Sequence, residues 1–334
     1  MRAVVVHEFG PVETLKLEEA PDPIPGAGEV LIDVHAVGLN FSDRLMIQGK
    51  YQIRPNRPFS PGRDASGVVA RVGAGVTRCK PGDRVMTVVP FGAYAERLVA
   101  PQARCFVLPD ALDFVTAAAM GNAHMTAYVA AMERGGLKAS ERVLVTGASG
   151  GIGLAAVEIV AAVGAFPIAG VTSAEKGALA LRHGAVAWVD LTKPNLLDSL
   201  RDQVNAATEG KGVNMVLDPV GGDAFDAALR TLAPGGRIVV IGFAGGRIPE
   251  VKTNYLLLKN LTVAGCNIEP YIASAHEIME GAVADLFIMY LEKQIKPEVA
   301  AVYPLADFRT ALDLFGTGRV RGKIVLTTGR SRSP

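Results

Sequence analysis

One segment limits the fold more than any other: Arg142-Val-Leu-Val-Thr-Gly147-Ala-Ser-Gly150-Gly151-Ile-Gly153-Leu-Ala-Ala-Val. A continuous apolar run of strand length meets a cluster of glycines, and the glycines open directly into an apolar helix. In this order each glycine has a task. Gly147 permits the tight turn, Gly150 and Gly151 let the backbone approach a pyrophosphate, and Gly153 lets helix and strand pack closely. The N–H groups at the helix start, together with the helix dipole, then face a doubly charged group. The loop residues Gly147, Ser149, Gly150, Gly151, Ile152 and Gly153 are therefore candidate contacts to a dinucleotide.

The surrounding pattern supports the loop. Apolar strand-like runs at Arg142–Thr146, Phe166–Val171, Ala187–Asp190, Val213–Asp218, Arg237–Ile241 and Leu261–Gly265 alternate with amphipathic stretches such as Ala174–Arg182 and Ala224–Leu232. Such alternation predicts right-handed βαβ units, hence a doubly wound α/β Rossmann sheet of six parallel strands. The first third reads differently. Ala3–Val6, Glu29–Leu39, Gly67–Val72, Arg84–Val88 and Tyr94–Val99 are short strand candidates, separated by turn signals such as Pro25-Gly26 and Pro81-Gly82-Asp83. This spacing predicts a β-barrel-type domain, with one helix, Ser42–Gln48, capped by Ser42. After Pro270 come a helix over Ser274–Glu292, a strand near Val299–Val302, a helix from Asp307 and a strand over Lys323–Thr327. That remnant is too small for a core of its own, so it is expected to return to the first domain. The predicted domains are 1–122 with 271–334, and 123–270.

The 34 basic and 33 acidic residues leave a net charge of +1, which gives no electrostatic footprint for nucleic acid or an anionic membrane. No run of about 18–20 apolar residues spans a bilayer, and the N-terminus reads as a strand, not a signal peptide. Three widely spaced cysteines, Cys79, Cys105 and Cys266, form neither a disulfide framework nor a metal cluster. These features predict a protein of the reducing cytoplasm. The tail from Gly329, with Arg330 and Arg332, reads as a frayed terminus.

The end of the second predicted strand selects among dinucleotides. A site for NAD wants Asp or Glu there, bonded to the ribose 2′-OH. Here Thr172 and Ser173 stand at the strand end, followed by Lys176. A carboxylate about 5 Å from a 2′-phosphate would cost about 3 kcal/mol per charge pair at an effective dielectric near 20, so its absence points to NADPH. Ser173 donates to the phosphate or caps the next helix, Lys176 neutralises it, and Glu175 leaves a ribose contact open.

Several further segments join the glycine loop: Gly38-Leu-Asn40-Phe-Ser-Asp43, Gly49-Lys-Tyr51, Pro61-Gly62-Arg-Asp64-Ala-Ser-Gly67, Pro81-Gly82-Asp83-Arg84-Val85, Gly92-Ala-Tyr94-Ala-Glu96, Ile241-Gly242-Phe243 and Gly322-Lys323-Ile-Val-Leu. Together they resemble the medium-chain dehydrogenase/reductase superfamily, in its quinone oxidoreductase (zeta-crystallin-like) branch. The resemblance implies a GroES-like catalytic domain built from both chain ends, and commonly a homodimer joined through the Rossmann sheets. Zinc-dependent alcohol dehydrogenases of the superfamily carry a cysteine where this sequence has Asn40, and a Gly-His-Glu motif where it has Gly62-Arg63-Asp64. No metal site is therefore expected; Asp64 and His124 alone do not make one, and His124 reads as a packing or capping residue.

Without a Lewis acid an alcohol is hard to oxidise. An acceptor that takes hydride readily fits better, its main demands being positioning and a donor for a developing oxyanion. Asn40 and Tyr51 are the candidate catalytic groups, Asn40 also being a candidate cofactor contact or a turn-holding side chain. Gly242, Phe243 and Ala244 follow the fifth strand, at the carboxyl edge where a cofactor lies, Phe243 being equally a core candidate; by resemblance, Thr126 and Lys323 lie near the cofactor, with Arg321 as a rival to Lys323. Asp43 and Asp64 hold turns, and Arg63 either makes a salt bridge or reaches substrate. The expected function is an NADPH-dependent quinone reductase working by hydride or electron transfer. The alternatives are an enone, alkenal or enoyl-thioester double-bond reductase, and a non-catalytic NADPH-binding protein of the crystallin-like or RNA-binding kind.

Overall fold

The computed structural model describes residues 1–318 and 320–330; the C-terminal residues from Ser331, including Arg332 of the tail, lie outside the described residues. The chain divides into two compact units. The first comprises 1–122, 269–283 and 297–334, and the second 123–268 and 284–296.

The second unit is built on one six-stranded sheet. Its spatial order is Ala187–Asp190, Phe166–Val171, Arg142–Thr146, Val213–Asp218, Leu232–Val240, Thr262–Gly265, and every neighbouring pair is parallel. In chain order this is 3-2-1-4-5-6, the doubly wound arrangement in which ligands bind beyond the carboxyl ends of the central strands. Parallel strands covered on both faces must be apolar throughout. Accordingly Val143, Leu144 and Val145, and Met215, Val216 and Leu217, have no exposed surface. The fifth strand starts at Leu232 rather than Arg237, because a register irregularity between Val213 and Met215 lets the chain pair one segment earlier.

In the first unit seven strands form one sheet, and Glu29–Gly38 organises it. Its carboxyl half pairs with Lys323–Thr327, its amino half with Arg97–Pro101, and Asp64–Val72 runs along its other side. Arg84–Val88 and then Cys105–Val107 extend that side, and Val299–Pro304 extends the other in parallel to Lys323–Thr327. Register shifts in the Glu29–Gly38 ladder let one ten-residue strand serve three neighbours, as bulges bend a sheet toward closure. Val30, Ile32, Val34 and Val37 point into a core completed by Ile324, Leu326, Phe308 and Tyr94. A separate hairpin pairs Arg2–Val5 with Lys16–Glu19. The sequence pattern did not announce Lys16–Glu19 or Cys105–Val107.

One helical expectation needs correction. The first helix runs Phe41–Ile47, and its cap is Asn40, not Ser42. Asn40 is extended (φ −126°, ψ 151°), and its N–H is accepted by the Asp43 carboxylate at 2.9 Å, half of a capping box. Ser42 lies inside the helix with its hydroxyl buried and unpartnered. The helix expected over Ser274–Glu292 is there as His276–Leu291, and a short helix the pattern did not announce, Ile268–Ser274, precedes it. Among the described residues no helix is long and apolar enough to cross a membrane.

Candidate active site

The glycine loop adopts the form its residues require. Gly147 sits at φ +59°, a region open mainly to glycine, and accepts the Gly150 N–H at 3.0 Å to close the turn. Helix Gly151–Ala162 begins there. A Cβ on Gly153 would lie 2.1 Å from the Gly147 carbonyl oxygen, so only glycine lets this helix start so close to the strand. The loop borders a cleft of about 410 Å³, lined by Gly147, Ser149, Gly170, Val171, Thr172, Lys176, Leu191, Lys193, Leu196, Val220, Asp223 and Ala224.

Of the expected cofactor contacts, Gly147, Ser149, Thr172 and Lys176 line this cleft. The Lys176 ammonium donates to Thr172 Oγ1 at 2.9 Å, which draws the cation over the end of strand Phe166–Val171. Ser173 is the helix cap, accepting the Lys176 N–H at 3.3 Å. Asp223 also faces the cleft, but Arg247 holds it at 2.9 Å. Lys193, three residues past the end of strand Ala187–Asp190, adds a second cation. The residue-by-residue reading passed over it, although its place beyond the third strand's carboxyl end was a usable signal. Gly242, Phe243 and Ala244 follow the fifth strand, tied back by the Gly242 and Ala244 N–H groups to the Asp218 and Pro219 carbonyls. Phe243 is part-exposed beside Gly221. Thr126 lies within helix Phe114–Tyr128, buried, with its hydroxyl unpartnered. A glycine turn, an open helix start and two lysines in the cleft, with Thr172 and Ser173 rather than an acid at the end of the second strand, fit a phosphorylated dinucleotide.

In the same unit His124 proves to be an anchor. Its Nε2 donates to Glu158 at 3.1 Å, His183 Nδ1 donates to the other oxygen at 2.6 Å, and the Lys296 N–H adds a third bond. Burial alone pushes the Glu158 carboxyl up. These hydrogen bonds outweigh it and hold the group at about 2.

The first unit carries a second constellation. Helix Phe114–Tyr128 is kinked at Gly121, whose φ/ψ of −24°/−108° is not helical. The kink turns the Asn122 N–H out of the helix, and Asp64 Oδ1 accepts it at 3.0 Å. Asp64 Oδ2 accepts Asn40 Nδ2 and the Lys323 ammonium, each at 3.1 Å. Lys323 gives its remaining protons to Asn40 Oδ1 and the Leu39 carbonyl, both at 2.8 Å. An ammonium has three donors, and all three are spent here. Asn40 is likewise committed at both ends of its amide, with Asn122 Nδ2 as a further, longer contact at 3.4 Å. Asn40, Asp64 and Lys323 thus form one buried network. Beside it the Asp43 carboxyl, which accepts the Tyr94 hydroxyl, is raised by burial to about 7.

This donor set does not fit zinc. The positions that would present thiolate and imidazole carry an amide and a guanidinium, and a fixed ammonium already occupies the carboxylate and amide oxygens. Among the described residues no group of three His, Cys, Asp or Glu side chains could hold a metal ion.

Arg63 is buried at 2 % exposure. It donates to the Tyr51 hydroxyl at 3.2 Å, the Val89 carbonyl at 3.3 Å and the Glu269 carboxylate at 2.7 Å. Arg104 takes the second Glu269 oxygen at 2.5 Å. Glu269 escaped the sequence reading, since nothing local links it to Arg63 more than 200 residues earlier.

Comparison with known proteins places the whole arrangement. Residues 26–110 match the alcohol dehydrogenase GroES-like domain, and residues 151–283 match the zinc-binding dehydrogenase family. Quinone oxidoreductase-like protein 2 of Rattus norvegicus is 37% identical over 327 residues, covering 98% of this chain and 92% of that protein. The quinone oxidoreductase of Homo sapiens is 34% identical over 331 residues, covering 98% and 97%. The crystal structure of Escherichia coli quinone oxidoreductase complexed with NADPH superimposes with a TM-score of 0.89 at 30% identity, covering 98% of this chain and 100% of that one. The chain belongs to the medium-chain dehydrogenase/reductase superfamily, in its zinc-free quinone oxidoreductase-like branch. Within that superfamily the first unit is the GroES-like part and the six-stranded sheet the Rossmann part.

Proposed function

We propose that this protein is an NADPH-dependent oxidoreductase that reduces quinones. One observation carries the choice of acceptor: the lysine ammonium held among Asn40, Asp64 and the Leu39 carbonyl, where a metal-dependent relative would need its ligands. A group so placed has no open coordination position and cannot acidify a substrate alcohol. What remains is chemistry in which the acceptor is already electrophilic and the protein positions it and answers the charge that develops on its oxygen.

The Rossmann part holds the cofactor. Gly147, Ser149, Gly150, Gly151, Ile152 and Gly153 cradle the pyrophosphate at the helix start, while Thr172, Ser173, Lys176 and Lys193 hold the 2′-phosphate. Thr126, Gly242, Phe243 and Ala244 line the rest of the cofactor's path. When bound, NADPH supplies a hydride. Tyr51 donates a hydrogen bond to the acceptor oxygen. Asn40 acts through the network it shares with Lys323, which fixes the start of helix Phe41–Ile47. We assign residues 1–122 and 271–334 to the catalytic domain and 123–270 to the nucleotide domain. We place the protein in the cytoplasm as a homodimer. The edge strand Thr262–Gly265 and the preceding helix, with Leu257 and Leu258 more than 70% exposed, support that assembly.

The reading is tested by following NADPH oxidation with 1,4-benzoquinone, 9,10-phenanthrenequinone and a series of 2-alkenals. Quinone turnover well above alkenal turnover is expected. Turnover of alkenals alone overturns quinone reduction in favour of double-bond reduction.

A further inference from the structure

The mechanism above leaves unexplained why an arginine, of all side chains, is sealed in the first unit. Burying a guanidinium is costly unless every partner is good. Arg63 has three, and two of them say what it is for. The first is Glu269, which Arg63 shares with Arg104. Two cations share one carboxylate, so Glu269 alone does not offset both guanidiniums. The second is Tyr51. Arg63 donates to the phenol oxygen at 3.2 Å, and Tyr51 donates no hydrogen bond to any described residue. The oxygen lone pair is therefore pinned by a fixed cation while the O–H proton is unspent. Tyr51 is half-buried against the core, so its ring is held too.

We propose that Arg63 is a positioning residue for Tyr51: it fixes the phenol as a donor aimed at the acceptor and supplies the positive charge that a metal provides in zinc-dependent relatives. The proposal rests on the reading of Tyr51 as the group that meets the acceptor oxygen. It narrows the substrate class to acceptors whose oxygen becomes anionic as hydride arrives, namely quinones and carbonyl-conjugated alkenes. Hydride brings two electrons to the acceptor carbon, and a negative charge appears on the conjugated oxygen. The Tyr51 O–H bond breaks and the acceptor O–H bond forms. The phenolate left behind is paired with Arg63 until a proton from water restores it. A hydrogen bond to a charged group contributes about 1.5–3 kcal/mol, so removing it slows the step by about 10–100-fold.

The test is a double-mutant cycle on Arg63→Met and Tyr51→Phe with two readouts. One is kcat with a quinone, alongside the KM for NADPH. The other needs no turnover: binding of p-nitrophenol to the chain saturated with NADP⁺, where the colour of the phenolate reports the charge on a bound oxygen. Each single variant is expected to lose about 10–100-fold in kcat and in phenolate binding, with the KM for NADPH unchanged. The double variant is expected to be no worse than the poorer single one, because Arg63 acts through Tyr51. Arg63→Lys, which keeps the charge without the planar fork, recovers part of the loss. Losses that multiply in the double variant, or an Arg63→Met chain that behaves as wild type, overturn the proposal. Should Arg63→Met fail to fold, Arg63→Lys carries the same cycle: its loss must vanish in the Tyr51→Phe background. Phenolate binding that needs both residues, in a chain that reduces neither quinones nor alkenals, upholds the pair and overturns the reductase reading. Quinone turnover indifferent to Arg63 does the reverse.

Discussion

The lysine at the centre of the first unit's polar network gives the most direct stability prediction. Asp64 has no exposed surface and Lys323 only 5%, and their 3.1 Å contact joins strand Lys323–Thr327 to the start of strand Asp64–Val72. Replacing Lys323 with Met keeps the length and apolar volume of the side chain but removes the charge. Asp64 would keep two neutral donors, Asn40 Nδ2 and the Asn122 N–H, and lose its cation. Asp43 offers no relief, because burial already raises it to about 7 and its Oδ2 is spent on Asn40 and Tyr94. Breaking one partner from a buried pair costs about 3–5 kcal/mol. Lys323→Met should therefore lose about that much in urea unfolding followed by far-UV circular dichroism. Adding Asp64→Asn to the same chain should restore most of the loss, since no stranded charge then remains. The pair would show a coupling energy of about 2–3 kcal/mol, within the range seen for residues of one network. A cost under about 1 kcal/mol for Lys323→Met, or no recovery on adding Asp64→Asn, would refute the view that Lys323 and Asp64 form a coupled buried charge pair.

Two more measurements follow. Glu158 is held at about 2 against an ordinary 4.5, so between these values it binds fewer protons folded than unfolded. Its contribution, roughly 3 kcal/mol at 1.36 kcal/mol per pKa unit, is fully present above about pH 4.5 and lost as pH falls toward 2; Glu158→Gln should thus lose stability at pH 7, and the gap to wild type should narrow between pH 5 and pH 3. The lone tryptophan, Trp188, lies in the same unit and reports it by fluorescence; a gap that does not change with pH would contradict the assignment. Lys176→Ala should raise the KM for NADPH by about tenfold, a half-exposed charge being partly screened, and leave that for NADH unchanged. An unaltered NADPH to NADH ratio would remove Lys176 from the 2′-phosphate.

What could be read in the sequence was what is local along the chain. The glycine loop packs strand, turn and helix into a dozen consecutive residues, so its geometry was readable, down to the contact that forces glycine at 153. The doubly wound parallel sheet followed from alternation, because right-handed crossovers leave few alternatives. The strands of the first unit are another matter. Lys16–Glu19 and Cys105–Val107 are three or four residues long and carry no strong pattern, and Glu29–Gly38 takes a partner some 290 residues away. Ser42 was a reasonable cap by residue type, but Asn40 won because Asp43 stands three residues after it and bonds back.

The candidate site was hidden for the same reason, and the way it was hidden is informative. Asn40, Tyr51, Arg63, Asp64 and Lys323 were all singled out one at a time, from motifs. Their meaning lies in pairings across as many as 283 residues: Lys323 with Asn40, Arg63 with Glu269. Motif reading recorded Asn40 and Arg63 as the loss of two metal ligands. In the folded chain the same two positions belong to neighbouring cationic networks, one closed around Lys323 and one open at the Tyr51 hydroxyl. The closed network has no donor to spare and can act only by holding backbone in place. The open one has a single unspent proton beside a buried positive charge. Of the two, only the second keeps a proton with which to answer charge developing on a substrate, and this is why the proposed chemistry of this chain is placed at Arg63 and Tyr51 rather than at Asn40.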